Sequence, residues 1–229
     1  MYFLGDPTFV LIIPALILAF YAQAKVSSAF NRYSRVRSQR GVTGAEAARG
    51  ILNEAGLQDV AIERTSGRGL SDHYDPRQRV LRLSPDVYDR PSLAALGVAA
   101  HEAGHAVQHN VGYAPLRLRN SILPVAQIGS QGAFILFLLG LFINALPLMD
   151  LGIILFAAAV VFQIVTLPVE YNASNRAIAL LQSGGYITES EVGPTRAVLS
   201  AAGLTYLAAT LMAVLQLVRL LALRSERRD

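Results

Sequence analysis

"LGIILFAAAVVFQIVTLPVE", residues 151–170, runs nineteen positions without a charge and then presents Glu170. Nineteen helical residues rise about 28 Å, close to the thickness of a bilayer's hydrocarbon core. Three other stretches equally lack Asp, Glu, Lys and Arg: 7–24, 120–149 and 197–218. A soluble domain of 229 residues does not distribute its charges this way, so with 53% hydrophobic residues the chain reads as a membrane protein. The spans are expected at about 7–24, 121–146, 150–169 and 199–221. Arg219 is tolerated in the last because it lies near enough to the end to snorkel.

The bases set the expected orientation. Lys25, Arg32, Arg35, Arg37 and Arg40 follow the first span with no acid among them, and such a cluster resists translocation. "AQA" at 22–24 resembles a cleavage site, but no positive charge precedes the apolar run as a signal peptide requires. Residues 1–24 therefore read as an uncleaved anchor in a multi-pass plasma-membrane protein, with 25–119 in the cytoplasm. The basic tail "RSERRD" disagrees, since four spans place it outside. The net charge of +4 does not suggest nucleic acid: nine acids are scattered among the bases between Lys25 and Arg119, with no basic stripe interleaved with aromatics. Lipid is the expected partner. Cysteine is absent, so any metal must be held by His and carboxylate.

Between the first two spans lies a soluble part with a core of its own. Thr43 and Glu46 form a capping-box pattern before a helix whose apolar face is Ala48, Ile51, Leu52 and Ala55, with Gly56 as its stop. "DVAIERT" and "RVLRLS" alternate as strands do, with turn signals in "TSGRGLSDHYDPRQ" between them, which predicts a sheet of two or three strands. Pro91 then opens a helix over 91–109 that carries "AAHEAGHAVQHN", residues 99–110.

On that helix His101 and His105 lie on one face about 6 Å apart along the axis, so both can aim a ring nitrogen at one zinc about 2 Å from each. Glu102 sits beside them, free to take a proton from a water that the metal activates and to pass it to a leaving amine. His109 is about 12 Å along the axis from His101, too far for the same ion. It is expected to meet the helix's terminal carbonyls or lipid headgroups instead. The third ligand must come from elsewhere. Glu170 is one candidate, because an isolated carboxylate at a membrane rim needs a partner. The cluster Asp72, His73 and Asp75 competes, though it could equally form an Asx turn ahead of Pro76.

These residues resemble the YugP-like zinc-dependent membrane metallopeptidases, which are more distantly similar to the HtpX-like and CAAX prenyl proteases. The likeness runs through "FYAQAKVSSAFNRY", "LSDHYDPRQRVLRLSPDVY", "AAHEAGHAVQH", "LPVEYNASNRA" and "AAGLTYLAATL". It implies a gluzincin arrangement, with His101, His105 and Glu170 as zinc ligands and Glu102 as the base. Two positions depart from the family pattern: Asn172 stands where Asp is frequent, and Ser174 stands where the related proteases carry an acid. His73, Tyr74 or Arg176 could steady the oxyanion of the tetrahedral intermediate.

The expected fold is a mainly α membrane protein with about four transmembrane helices and a small α+β gluzincin-like zinc metallopeptidase domain containing a short sheet. The segments are an anchor at 1–24, a metallopeptidase domain at 25–119 and two membrane helices at 120–169. A helical segment with the third ligand follows at 170–198, then a last membrane helix and basic tail at 199–229. The expected activity is zinc-dependent hydrolysis of membrane-associated or unfolded proteins near the bilayer. The alternatives are a non-hydrolytic zinc-dependent scaffold or assembly factor, and the same chemistry outside the cell.

Overall fold

The computed structural model describes residues 7–66 and 71–226, and for Gln131 the backbone alone. Residues 67–70, in the stretch read as turns, and the ends of the anchor and basic tail lie outside the described residues. Among the described residues seven α-helices and three strands follow in order. A 3-10 turn, Pro7–Ile12, leads into α1 (Ile13–Tyr33), and α2 is Gly44–Glu54. The strands are β1 (Ala61–Arg64), β2 (His73–Asp75) and β3 (Val80–Leu83). Then come α3 (Pro85–Tyr88), α4 (Leu93–Asn110), α5 (Ala114–Phe142), α6 (Leu146–Ser183) and α7 (Glu189–Ser225).

The chain divides into two compact units. One comprises residues 1–22, 117–168 and 204–229. Among the described residues four helices are long and apolar enough to cross a membrane, beginning at Pro7, Ala114, Leu146 and Glu189. Ile17, Phe20, Ile128, Phe142 and Ile154 each expose more than 60% of their surface, an arrangement suited to lipid rather than water. Glycines let the helices meet closely: a Cβ on Gly129 would lie 2.5 Å from the Leu155 carbonyl oxygen, and one on Gly152 would lie 2.7 Å from that of Ala133. Arg224 grips Asp150 with two hydrogen bonds, of 2.8 and 2.9 Å.

The helix of the second span, expected over about 121–146, ends at Phe142, because Asn144 takes a left-handed φ of 54° and reverses the chain, and Pro147 sits in the first turn of the next helix. The third span, expected at about 150–169, lies within α6, which runs through Pro168 to Ser183 and carries Glu170. At 38 residues α6 is about 57 Å long, nearly twice what a bilayer core requires.

The other unit comprises residues 23–116 and 169–203. The capping box is formed as the sequence predicts: Thr43 Oγ1 accepts from the Glu46 N–H, and the Glu46 carboxylate accepts from the Thr43 N–H. Ala47, Ala48, Ile51 and Leu52 are fully buried, and Gly56 ends the run at a φ of 73°. The sheet order is β1-β3-β2. β1 runs parallel to β3, and β2 pairs antiparallel to it, with His73 opposite Arg82, Tyr74 opposite Leu81 and Asp75 opposite Val80. Central β3 buries Val80, Leu81 and Leu83, whereas β2 is an edge.

Helix α4 starts at Leu93 rather than Pro91. Ser92 is the N-cap, its hydroxyl accepting from the Ala95 N–H, while the Pro91 carbonyl accepts from Ser38 outside the helix. Leu93, Ala94, Ala95, Leu96, Ala99, Ala100, Ala103 and Ala106 are at most 1% exposed. A helix buried on nearly every face is the rigid centre of this unit.

Candidate metal centre

Helix α4 presents His101 and His105 one turn apart, and the part of α6 that belongs to the same unit brings Glu170 between them. Glu170 Oε2 lies 3.2 Å from His101 Nε2 and 3.5 Å from His105 Nε2. Both His side chains keep 12% of their surface and Glu170 keeps 5%. A tetrahedral zinc with ligands at 2.0–2.2 Å separates its donor atoms by about 3.4 Å, so these spacings fit the ion. Two imidazoles and a carboxylate also match the His₂Glu set of catalytic zinc sites, in which a fourth position stays open. Among the described residues, His101, His105 and Glu170 form the cluster whose donor atoms converge, all within 4.8 Å of one another.

Neutral partners orient both rings. His105 Nδ1–H donates to Gln108 Oε1 at 3.0 Å, and His101 Nδ1 meets Ser174 Oγ at 3.1 Å. Ring nitrogens held this way turn Nε2 toward the metal position. Ser174 thus occupies, without a charge, the place where an acid was expected. Asn172 is also engaged, its Oδ1 accepting from Gln108 Nε2 at 2.9 Å and from Arg176 Nε at 2.8 Å.

Glu102 lies partly buried beside the pair, and its Oε2 accepts the backbone N–H of Tyr74 on β2 at 3.1 Å. Burial pushes the Glu102 carboxyl above the ordinary carboxylate range, while His105 and His101 pull it back. A raised carboxyl is what a base working near neutral pH needs.

The competing ligand cluster is occupied elsewhere. Asp72 accepts from the Ser84 N–H and hydroxyl. Asp75 Oδ1 accepts from the N–H groups of Arg77 and Gln78, the Asx turn anticipated before Pro76, and Oδ2 from Arg82. His73 is exposed, its Nδ1–H on the Ser71 carbonyl. His109 Nδ1 lies 3.0 Å from the Tyr74 hydroxyl, which ties the end of α4 to the edge strand.

Sequence reasoning missed Gln108 and the Tyr74 N–H. Gln108 left a signal, a polar residue three positions after His105 on an Ala-lined helix, and the structure buries it fully. The Tyr74 N–H left none, because any non-proline residue could supply it.

Residues 8–225 match the model of a family described as "Putative neutral zinc metallopeptidase". The chain belongs to this family. It is 50% identical over 219 residues to "Putative membrane protease YugP" of Bacillus subtilis (strain 168), a match covering 96% of this chain and 97% of that one. No solved structure gives a significant match. The chain is thus a member of a zinc metallopeptidase family with four helices, among the described residues, long and apolar enough to cross a membrane, and with His101, His105 and Glu170 positioned as its candidate metal site.

Proposed function

We propose that the protein is a membrane-embedded endopeptidase that hydrolyses peptide bonds of membrane-associated or unfolded proteins at the cytoplasmic membrane surface. The observation that carries this reading is a partly buried carboxylate, Glu102, held by a backbone N–H beside three converging metal donors. Zinc, when bound, would polarise the scissile carbonyl and lower the pKa of water to roughly 7. Glu102 takes the proton of the attacking water on a carboxylate oxygen and delivers it to the leaving amine. The Tyr74 N–H keeps that carboxylate aimed while it changes charge. His73, exposed on the edge strand, and Arg176 are the side chains proposed to steady the oxyanion.

A base next to an open metal position favours hydrolysis over a scaffold role, since a purely structural site would close with a fourth protein ligand. The test is cleavage of a denatured membrane protein by wild type and by Glu102→Gln, with zinc content measured for both. Loss of cleavage with zinc retained supports the reading; equal cleavage by both proteins overturns it. The cysteine-free chain allows a single reporter for sidedness. Ser66→Cys in intact cells should resist an impermeant thiol reagent, and labelling would place the site outside.

A further inference from the structure

We propose that Gln108 is a positioning residue of the metal centre: it fixes which nitrogen of His105 carries the proton and so leaves Nε2 as the ligand atom. This rests on the zinc reading above. The argument is one of donor parity. A backbone carbonyl can only accept and an arginine can only donate, so each fixes the polarity of the group it meets. Arg176 Nε–H meets Asn172 at 2.8 Å, which turns the Asn172 amide oxygen inward. Gln108 lies 2.9 Å from that oxygen and 2.9 Å from the Val169 carbonyl. Two acceptors on one side require the Gln108 NH₂ to face both. Its carbonyl oxygen then faces His105, and an acceptor 3.0 Å from Nδ1 requires Nδ1 to be protonated.

The assignment is therefore forced twice, by a main-chain group and by an Arg-anchored amide, and Gln108 is fully buried. Val169 is also the residue just before Glu170, so one amide side chain braces a ligand on α4 and the backbone leading into the ligand on α6. His101 is held differently. Its partner is a hydroxyl, which can rotate to donate or accept, so Ser174 steadies the ring without dictating its tautomer. Arg176 in this arrangement anchors an amide through Nε.

The zinc-loaded protein with ¹⁵N-labelled histidine tests this directly. In wild type, His105 should show a protonated Nδ1 in slow exchange with water and the metal on Nε2; metal on Nδ1 overturns the proposal without any variant. Gln108→Leu should lose that slow exchange and bind zinc about 10- to 100-fold more weakly in competition with a chelator. Gln108→Glu keeps an acceptor against Nδ1 but sets its other oxygen against the Val169 carbonyl and Asn172 Oδ1, so it should restore the slow Nδ1 exchange while recovering only part of the zinc affinity. Zinc affinity and Nδ1 exchange unchanged in Gln108→Leu would overturn the proposal. A wild type that binds zinc without His105, or binds none, overturns the metal reading itself and is told apart by that result.

Discussion

Gly104 faces the carbonyl of Ala173 so closely that a Cβ on the glycine would lie 3.0 Å from the Ala173 oxygen. This is where the two ligand-bearing helices meet, between His101 and His105 on one and just past Glu170 on the other. The obstructing atom is backbone, so relief requires α6 to move and take Glu170 with it. The "AG" of HEAGH is thus a spacing device. Gly104→Val should leave the fold recognisable but weaken zinc binding by at least about tenfold, in the range seen when supporting groups of a metal site are removed. Chelator competition would measure it, and unchanged affinity would show that the helices are not in register through this contact.

Glu170→Ala removes the carboxylate whose Oε2 lies within 3.5 Å of both imidazoles. Zinc in the purified protein should fall well below one equivalent, while Glu102→Gln stays loaded. Metal analysis of the two variants side by side separates ligand from base.

Ser174→Ala takes away the partner of His101 Nδ1 and should weaken zinc about tenfold. Ser174→Asp restores the acid frequent among the related proteases and should bind at least as tightly as wild type. If Ser174→Asp bound more weakly than Ser174→Ala, the neutral partner would be a requirement of this chain rather than a tolerated substitute.

Acid should loosen α2 from its start. The Thr43 N–H and hydroxyl hold the Glu46 carboxyl below its ordinary range. A depressed carboxyl contributes stability above its unfolded pKa and loses it as pH falls through the folded one. Amide exchange in the first turn of α2 should therefore quicken on the acid side of the ordinary glutamate range. Glu46→Gln should abolish that step, and Thr43→Ala, which keeps the N–H but removes the hydroxyl, should shrink it and cost roughly 1 kcal/mol at neutral pH. An unchanged pH profile in Glu46→Gln would remove Glu46 as its source.

Local chemistry was legible in the sequence; long-range partners were less so. The Thr43–Glu46 box, the Gly56 stop and the Asx turn at Asp75 each lie within a few residues, where side chain and backbone leave little choice. The His101–His105 face follows from helix rise alone. The third ligand required residues far apart in sequence to meet, and residue spacing left Glu170 and the Asp72 cluster as rivals; the family likeness favoured Glu170. Continuity of α6 through Pro168 was not readable, because a proline marks a boundary only on average. The hydrogen bond from Tyr74 to Glu102 depends on which edge of a three-residue strand faces α4, and no side-chain pattern encodes that.

The unit that holds the candidate ligands is assembled from two stretches of chain separated by residues 117–168. A ribosome delivers His101 and His105 first and Glu170 only sixty-five residues after the second histidine. At 5–20 residues per second that interval is about 3–13 s. Throughout it the nascent chain owns two of the three candidate ligands, and the apolar stretches in between must emerge before the third donor exists. A product truncated before α6 carries the two histidines of the candidate site without its carboxylate.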